Sequence, residues 1–547
     1  MKKKAWCFLL FLAALGFFAF ADGEEEDTDE TYDYENYTRK PLLSLPEGIG
    51  GENDRLDITF GLGLGFIGKH FYFDGVIRMD YDVGPFTLVA DLSTSNDQKY
   101  APARVMNPSG NLGGLYFMLE EGGASYHWKG LNLQAGRFRL YDIVDSPYSL
   151  YINSLGHASN TLNFRYESAR FIYDTRWVEL NSRSEISTPG WDEYHRAREQ
   201  GILGTGIPPD PGIPPGTLGF PDRGMNYKIY ALKVRDSRFG FLDATVYTER
   251  SFDLEYFLNP IPQYFIQYVK GTPGRPWTTD SNENNMIGFF WDTKNPVWTA
   301  YTQILVDDFS LRFISDYFSD NPWKAAWALG GGIQTRIGRF GFHHGGAFKY
   351  TFEPITSPIG GRYDGDIAKT AYGYTYYPET RYYDDENDKK VVSILIEDNM
   401  LGYKHGENNI AFQVDYQNTF YKILLNAELE FVLAGNNSPA NPWQDYTHRS
   451  DMPPGKRGTK ILDEGPLEKH IELRLNLSHR RGPWTFLAAT ALGGRFNRLT
   501  LMPAVIPKGV KPEDQSAADH IYIWKTSGEH EFIFRISIGA KYTLSVL

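Results

Sequence analysis

Cysteine is almost absent from the sequence, because Cys7 is the only one in 547 residues. It lies in a segment with the three parts of a secretion signal, namely Lys2 to Lys4, the apolar run Ala5 to Phe20 and a small-x-small site at its end. We therefore expect residues 1–21 to be removed as a signal peptide. The mature chain would then have no disulfide bond and no thiolate chemistry.

Long hydrophobic runs are also absent after residue 21. No later stretch is apolar for 18 residues, which excludes a membrane-spanning helix from the sequence pattern. The mean hydropathy is −0.42, yet 15% of the residues are aromatic and glycine occurs 54 times. A membrane β-barrel has such a composition, because its strands alternate between lipid and lumen and are never hydrophobic on average.

Basic residues are fewer than acidic residues. The 55 Lys and Arg residues face 68 Asp and Glu, which gives a formal net charge of −13. A chain this acidic is not expected to bind nucleic acid. Nine of the acids lie between Asp22 and Glu35, so we predict residues 22–54 to be an acidic N-terminal periplasmic tail that precedes a barrel over 55–547.

Strict alternation marks the last segment of the chain. From Phe532 to Val546 all eight even positions are apolar, whereas one of the seven odd positions between them is. A strand places such residues on opposite faces, whereas a helix would mix them. The same period occurs over 56–66, 410–416, 421–433 and 471–477.

These patterns predict an all-β fold, a transmembrane antiparallel β-barrel of about 18 strands (roughly 16–20) with long extracellular loops. The alternative is a soluble β-sandwich with one wet face. The signal peptide, the aromatic content and the alternating terminal strand favour the barrel. We expect it in the outer membrane of a diderm bacterium, in contact with outer-membrane lipid and inserted by barrel-assembly machinery.

Turns and loops are indicated by glycine, proline and polar pairs. Tight turns are expected at Val83-Gly84-Pro85, Asp236-Ser237, Gly338-Arg339 and Arg481-Gly482-Pro483. Long loops are expected over 187–225, 353–398 and 434–466. The sequence leaves open on which side of the membrane 497–519 lies, because the parity of the strand count is not determined.

Several segments, in order, resemble one known family. The strand motif has Tyr301, Gln303 two residues later, and then Asp307 and Asp308. Further matching pieces are 135–137, 149–153, 163–166 and the Gly-rich 401–409. This order resembles the Wzi-type capsule-assembly barrels, although the Trp-Gly expected after 135–137 is absent and a Pro-rich insertion is foreign to that family. The resemblance implies a barrel that is plugged by its own loops and binds surface polysaccharide.

Candidate catalytic groups are few. His343 and His344 are adjacent, so a strand would point them to opposite faces, where they cannot share a metal. His157 has serines nearby, but no third partner or oxyanion donor can be assigned. The acidic run 384–388 lacks the glycine of a calcium loop. We therefore predict no enzyme activity, no metal site and no cofactor.

Aromatic side chains in the predicted loops could stack on sugars. The candidates are Trp191, Tyr194, Tyr374, Tyr376, Tyr377, Tyr382, Tyr383 and Trp443. Aromatic rings also form the interfacial girdles of any barrel and pack long loops together, which is the structural alternative for each of them.

The sequence thus predicts a non-enzymatic outer-membrane barrel that binds or anchors surface polysaccharide. A porin is the first alternative and a loop-based adhesin the second. The lumen distinguishes the first two, because inward-folded loops would plug it and an open lumen would conduct.

Overall fold

The structure of the chain is a computed structural model. The described residues are 54–96, 116–156, 158–181, 222–248, 250–270, 283–308, 323–349, 351–352, 373–376, 381–383, 391–393, 400–436, 459–462, 465–503 and 522–546. Among these residues, no helix has the length and apolar character needed to cross a membrane.

Eighteen of the described strands form one antiparallel sheet. They are β1 (Arg55–Ile67), β2 (His70–Val83), β3 (Phe86–Ser95), β4 (Tyr116–Trp128), β5 (Leu131–Arg139), β6 (Ala158–Glu167), β7 (Phe171–Asn181), β8 (Arg223–Val234), β9 (Ser237–Thr248), β10 (Glu283–Lys294), β11 (Trp298–Asp308), β12 (Lys324–Thr335), β13 (Gly338–Ala347), β16 (Asn409–Phe420), β17 (Ile423–Ala434), β18 (Glu468–Arg481), β19 (Trp484–Phe496) and β22 (His530–Ser545).

Two short hairpins and two helices lie in the connections between these strands. The hairpins are β14 (Arg381–Tyr383) with β15 (Val391–Ser393), and β20 (Leu499–Pro503) with β21 (Tyr522–Thr526). The helices are α1 (Leu254–Leu258) and α2 (Gln263–Lys270).

The sheet closes on itself through its first and last strands. β1 pairs with β2 on one side and with β22 on the other, in a register from Asp57 opposite Ser545 to Ile67 opposite Arg535. Closure leaves no strand edge with unpaired backbone groups, which is the condition for a sheet to span lipid. The predicted all-β barrel and its strand number are confirmed.

The connections at the two ends of the barrel differ in length. At one end, two- or three-residue turns join β2 to β3, β4 to β5 and the further pairs round to β18 and β19. The first residue of β1 and the last residue of β22 also lie at this end. Short turns are typical of the periplasmic side of such barrels, so this is the periplasmic end. The β20–β21 hairpin, which lies between β19 and β22, is therefore on the extracellular side. This answers, for the described residues of that connection, the question that the sequence left open.

Two of the four predicted tight turns, at residues 83–85 and 481–483, lie where the sequence placed them. The turn predicted at Asp236-Ser237 is shifted by one residue, because Ser237 begins β9 and the turn is Arg235-Asp236. The turn predicted at Gly338-Arg339 is shifted by two residues, because these residues begin β13 and the turn is Arg336-Ile337. Tyr421 and Lys422 form the β16–β17 turn with positive φ angles, although the alternation suggested that they belong to a strand. The predicted loops 187–225, 353–398 and 434–466 lie mostly outside the described residues.

A band of apolar side chains lies on the outer face of the sheet. On β1 the outward side chains Phe60, Leu62, Leu64 and Phe66 are 37–53% exposed, and Ile538 on β22 belongs to the same band. The residues between them face the lumen. The lipid face and the lumen face are therefore those predicted from the alternation.

The inside of the barrel is partly filled. Residues 140–156, which connect β5 to β6, fold inward and pack against the walls of β7 to β13, together with 373–376 and 400–408. Their fully buried aromatic rings are Tyr148, Tyr151, Tyr374 and Tyr403. We call residues 140–156 the plug segment.

Candidate functional site in the barrel lumen

The carboxylate of Asp142 is the centre of the plug segment. One oxygen accepts hydrogen bonds from the Tyr227 hydroxyl at 2.6 Å and from the next backbone amide at 2.7 Å. The other accepts from Gln303 Nε2 at 2.9 Å and from the amides of Tyr151 and Ile152. Two strands and the plug segment are thereby joined at one side chain.

Gln303 belongs to the strand motif that the sequence singled out, and it is completely buried. Its amide nitrogen donates to Asp142, while its oxygen accepts from the Leu150 amide at 2.8 Å. The side chain therefore fixes the plug segment to β11 at two points, Asp142 and Leu150. Sequence analysis identified Gln303 but missed Asp142, whose only local signal is an acid in an otherwise apolar stretch.

The other inward segments complete the plug. Asn153 donates from its backbone to the Leu401 carbonyl at 2.5 Å and from its side chain to the Met400 carbonyl at 3.1 Å. The Tyr374 hydroxyl donates to the Tyr151 carbonyl at 2.7 Å. A Cβ atom on Gly402 would overlap the Leu150 carbonyl, so only glycine allows this backbone approach. The predicted Gly-rich turn over 401–409 is thus part of the plug.

An ion cluster joins the plug to the opposite wall. Glu430 of β17 contacts Lys404 Nζ at 2.7 Å and His405 Nε2 at 3.0 Å, and it also pairs with Arg474 of β18. The Tyr148 hydroxyl donates to the same carboxylate at 3.1 Å. A buried carboxylate needs such compensation, so the cluster holds the plug to β17 and β18.

Burial also perturbs the acidity of plug groups. Burial raises the pKa of the Asp142 carboxyl, although the hydrogen bonds from Tyr227 and Gln303 act in the opposite direction. Burial likewise raises the pKa of the Tyr374 hydroxyl well above its usual value. Protonation of Asp142 therefore costs less inside the barrel than it does in water.

Beside the plug the lumen contains a cavity of about 480 Å³. Its walls are β1, β2, β13, β16 to β19 and β22, and they extend from mid-strand to residues next to the periplasmic turns, such as Arg339 and Leu424. Four acids and two bases line it. They are Asp74, Asp145, Asp415, Glu428, Arg339 and Lys541.

A row of amides runs across one wall of this cavity. Gln417, Asn426 and Asn476 lie directly opposite one another on β16, β17 and β18. On the other side the wall consists of small residues, including Gly63 opposite Gly539 on β1 and β22. Amides donate and accept hydrogen bonds, so this wall can bind polar solutes of either hydrogen-bonding character.

His343 also lines the cavity. Its Nδ1 is 2.9 Å from the Tyr301 hydroxyl and its Nε2 is 2.8 Å from Asp415 Oδ2. His344 points outward and contacts Trp327 Nε1, so the two histidines face opposite sides as the sequence predicted. No group of three or more metal-ligating side chains occurs among the described residues.

The predicted aromatic residues have different locations. Tyr374 and Tyr376 are 0% and 7% exposed, because residues 373–376 fold into the lumen, where Arg223 donates to the Gly373 and Tyr376 carbonyls. They are therefore not the exposed loop rings that the sequence suggested. Tyr382 and Tyr383 lie in the short strand β14.

The remaining candidates are the aromatic residues Trp191, Tyr194, Tyr377 and Trp443, which lie outside the described residues together with His157 and the acidic run 384–388. Their predicted roles stay predictions.

The acidic pair of the strand motif belongs to β11, which continues through Asp308. The sequence placed this pair at a turn, and the structure corrects that position. Asp307 faces Lys324 of β12 with 3.6 Å between its Oδ2 and the lysine Nζ. Its role here is to pair two neighbouring strands.

The chain is similar to several solved structures, but it matches no known protein family. No protein-family model and no curated protein matches the sequence. OccD3 (OpdP) of Pseudomonas aeruginosa is similar over 93% of this chain and 95% of its own, with 10% identity and a TM-score of 0.43. OprD of the same organism covers 91% and 96%, with 9% identity and a TM-score of 0.40.

A third solved structure is a loop-deletion mutant of OmpT, an outer membrane protein of Vibrio cholerae. It covers 90% of this chain and 99% of its own, with 7% identity and a TM-score of 0.33. The closed 18-stranded sheet and its apolar exterior make the present chain an outer-membrane β-barrel. The resemblance to Wzi-type barrels stays a prediction.

Proposed function

We propose that the protein is a porin with a narrow lumen, a passive channel for small polar solutes. The observation that carries this proposal is the polar cavity beside the plug, which leaves one side of the lumen unfilled. Its volume is within the range of about 300–1,000 Å³ that accommodates small molecules in proteins. Anchoring of polysaccharide by the extracellular loops stays a prediction.

The lining supports passage of polar solutes. Amides of β16, β17 and β18 can form the hydrogen bonds that a solute otherwise makes with water. The four carboxylates that line the cavity outnumber its two basic side chains, Arg339 and Lys541. Rings of acidic side chains favour cations in channels. We therefore expect cations to pass more easily than anions of the same size.

The contacts of the plug favour a constriction of fixed width in the lumen. Asp142 and Gln303 tie it to β8 and β11, and Glu430 ties it to β17. Contacts on three sides of the barrel oppose a swinging motion of the whole segment. Conductance should therefore be small and steady.

Single-channel recording on the purified full chain in planar bilayers tests the proposal. We expect small, steady steps and a reversal potential that shows cation preference in a salt gradient. The double variant Asp74→Asn/Asp145→Asn should reduce that preference, because it removes two lumen charges without changing side-chain size. Asp236→Asn in the β8–β9 turn is the matched control and should leave the preference unchanged.

A different result would reject the proposed channel. Folded barrels that show no conductance steps but retain surface polysaccharide in a pull-down would reject the channel and support the anchoring role.

A further inference from the structure

A polar patch lies on the outer wall of the barrel, where lipid contact would be expected. Alternation along β8 and β9 points Tyr227 and Leu242 into the lumen core, so their neighbours Lys228 and Asp243 point outward. These two residues face each other across the strands and are 0% exposed. Asn226, Thr245, Glu283 and Asn285 extend the same patch.

Residues 250–270, which contain α1 and α2, cover this patch from outside. Lys228 Nζ donates to the Asn259 and Ile261 carbonyls, and the Gln263 amide donates to Asp243. We call residues 250–270 the outer helical segment. Its backbone thereby supplies the hydrogen bonds that lipid cannot supply to the wall.

Aromatic and ionic contacts also hold the outer helical segment to the wall. Tyr256 is fully buried, stacks on Tyr247 of β9 and donates its hydroxyl to Glu283 at 3.0 Å. Arg250 pairs with Glu283 of β10 at 3.1 Å, and within the segment Asp253 accepts from Lys270 at 2.9 Å and from Arg250 at 2.8 Å. The segment is thus docked on the barrel exterior.

The outer surface of this segment is apolar. Six large side chains that point away from the wall are 45–70% exposed. They are Leu254, Leu258, Ile261, Tyr264, Phe265 and Tyr268. Ile266, on the opposite side of α2, is only 2% exposed because it packs on the wall.

This surface continues the apolar band of the barrel. Towards the periplasmic end of the same strands the outward residues are Leu232, Phe239 and Phe289, which are 41–62% exposed. On β1 the outward row is apolar as far as Phe66, near the extracellular end of that strand. On β8 to β10 the outer wall is polar on the extracellular side of this band. The outer helical segment covers that polar stretch and presents an apolar surface in its place.

We propose that the outer helical segment lies in the outer leaflet of the membrane, where its apolar surface contacts lipid acyl chains and seals a polar stretch of barrel wall. The described part of the connection from β9 to β10, residues 250–270, thus covers the exterior of the barrel. The continuity with the lipid-facing band identifies lipid as the occupant of this surface.

Site-directed spin labelling of the full chain in liposomes tests this inference. Cys7 is the only cysteine, so a Cys7→Ser background leaves one engineered site for each label. The test sites are Leu258→Cys and Phe265→Cys, because these side chains are 63% and 55% exposed. Leu232→Cys is the control for lipid, and Tyr421→Cys, in a periplasmic turn and 98% exposed, is the control for water.

We expect labels at both test sites to collide more with oxygen than with a water-soluble nickel chelate, as at Leu232. The reverse order, as at Tyr421, would overturn the inference, because the segment would then lie in water. Low collision with both reagents would also overturn it, because a second copy of the chain would then cover the surface.

Discussion

At the scale of single residues, Asp142 shows how one buried carboxylate organises a loop. Five donors converge on its two oxygens, from β8, from β11 and from the plug backbone. Each donor would be left without an acceptor if the carboxylate were lost. The plug therefore depends on a side chain that does not belong to any strand.

Replacing Asp142 with alanine should loosen the plug without unfolding the barrel. An unsatisfied buried donor costs about 1–3 kcal/mol, and at least the Tyr227 hydroxyl and the Gln303 amide would lose their partner. We expect larger and noisier conductance steps with unchanged heat-modifiable migration. Asp236→Ala is the control, and an unaltered current in Asp142→Ala would show that the plug does not set the conductance.

The raised pKa of Asp142 predicts a dependence on pH. A carboxyl whose folded pKa lies above its unfolded value favours the fold at low pH, and this contribution is lost as the pH rises through the folded pKa. The advantage of the wild type over Asp142→Asn in melting temperature should therefore shrink as the pH rises above about 4, the pKa of an unperturbed Asp carboxyl. An advantage that grows over this range would contradict the assignment.

The two faces of one strand should tolerate arginine differently. Ile538 faces lipid at the middle of β22, so Ile538→Arg should destabilise the barrel by about 2–4 kcal/mol. Ser537 faces the cavity, and Ser537→Arg should cost much less because the guanidinium stays hydrated. Urea unfolding in liposomes measures both, and equal losses would refute the assignment of faces.

At the scale of elements, β22 closes the sheet. It pairs with β1 over eleven residue pairs and with β19 over thirteen. Without it, two strand edges would expose unpaired amides and carbonyls to lipid. The terminal strand is therefore essential for closure.

Removing residues 531–547 should prevent insertion, with the chain recovered in aggregates or degraded. Deletion of residues 504–521 between β20 and β21 is a control of similar length that leaves all 18 barrel strands complete. Heat-modifiable migration of the membrane fraction measures both. A truncated chain that inserts as well as the control would show that β22 does not close the barrel.

At the scale of the whole molecule, the lumen is divided between plug and cavity. The plug occupies the side of β7 to β13, and the cavity of about 480 Å³ lies against β1, β22 and β16 to β19. The barrel diameter alone would suggest a wider pore. In the proposed channel, the inward loops determine which solutes can pass.

This division predicts a size limit that liposome swelling can measure. Monosaccharides should enter proteoliposomes quickly and tetrasaccharides hardly at all, because the cavity holds one small molecule. Asp142→Ala should raise the rate for the larger sugar more than for the smaller one. Equal rates for all sugars in the wild type would indicate a wide, unplugged lumen.

The sequence by itself determined the fold class, the approximate strand number, and the positions and faces of the five strands with the clearest alternation. Alternation with period two is a local pattern, and β1, β17 and β22 each carry it within about a dozen residues. In an up-and-down barrel nearly every strand pairs with its neighbour in the chain, so local patterns and short turns were enough to predict the architecture. Only the closing pair of β1 and β22 is distant in sequence.

Only the tertiary structure decided what fills the lumen and what covers the outer wall. Asp142 meets Tyr227 and Gln303 across 85 and 161 residues, and no local pattern encodes such contacts. Tyr374 lies in a Tyr-rich, acidic stretch that is typical of an exposed loop, yet residues 373–376 fold into the lumen and bury its ring. The polar outward face of Lys228 and Asp243 likewise makes sense only once the outer helical segment is seen to cover it, because hydrogen bonds between distant segments compensate the buried charge.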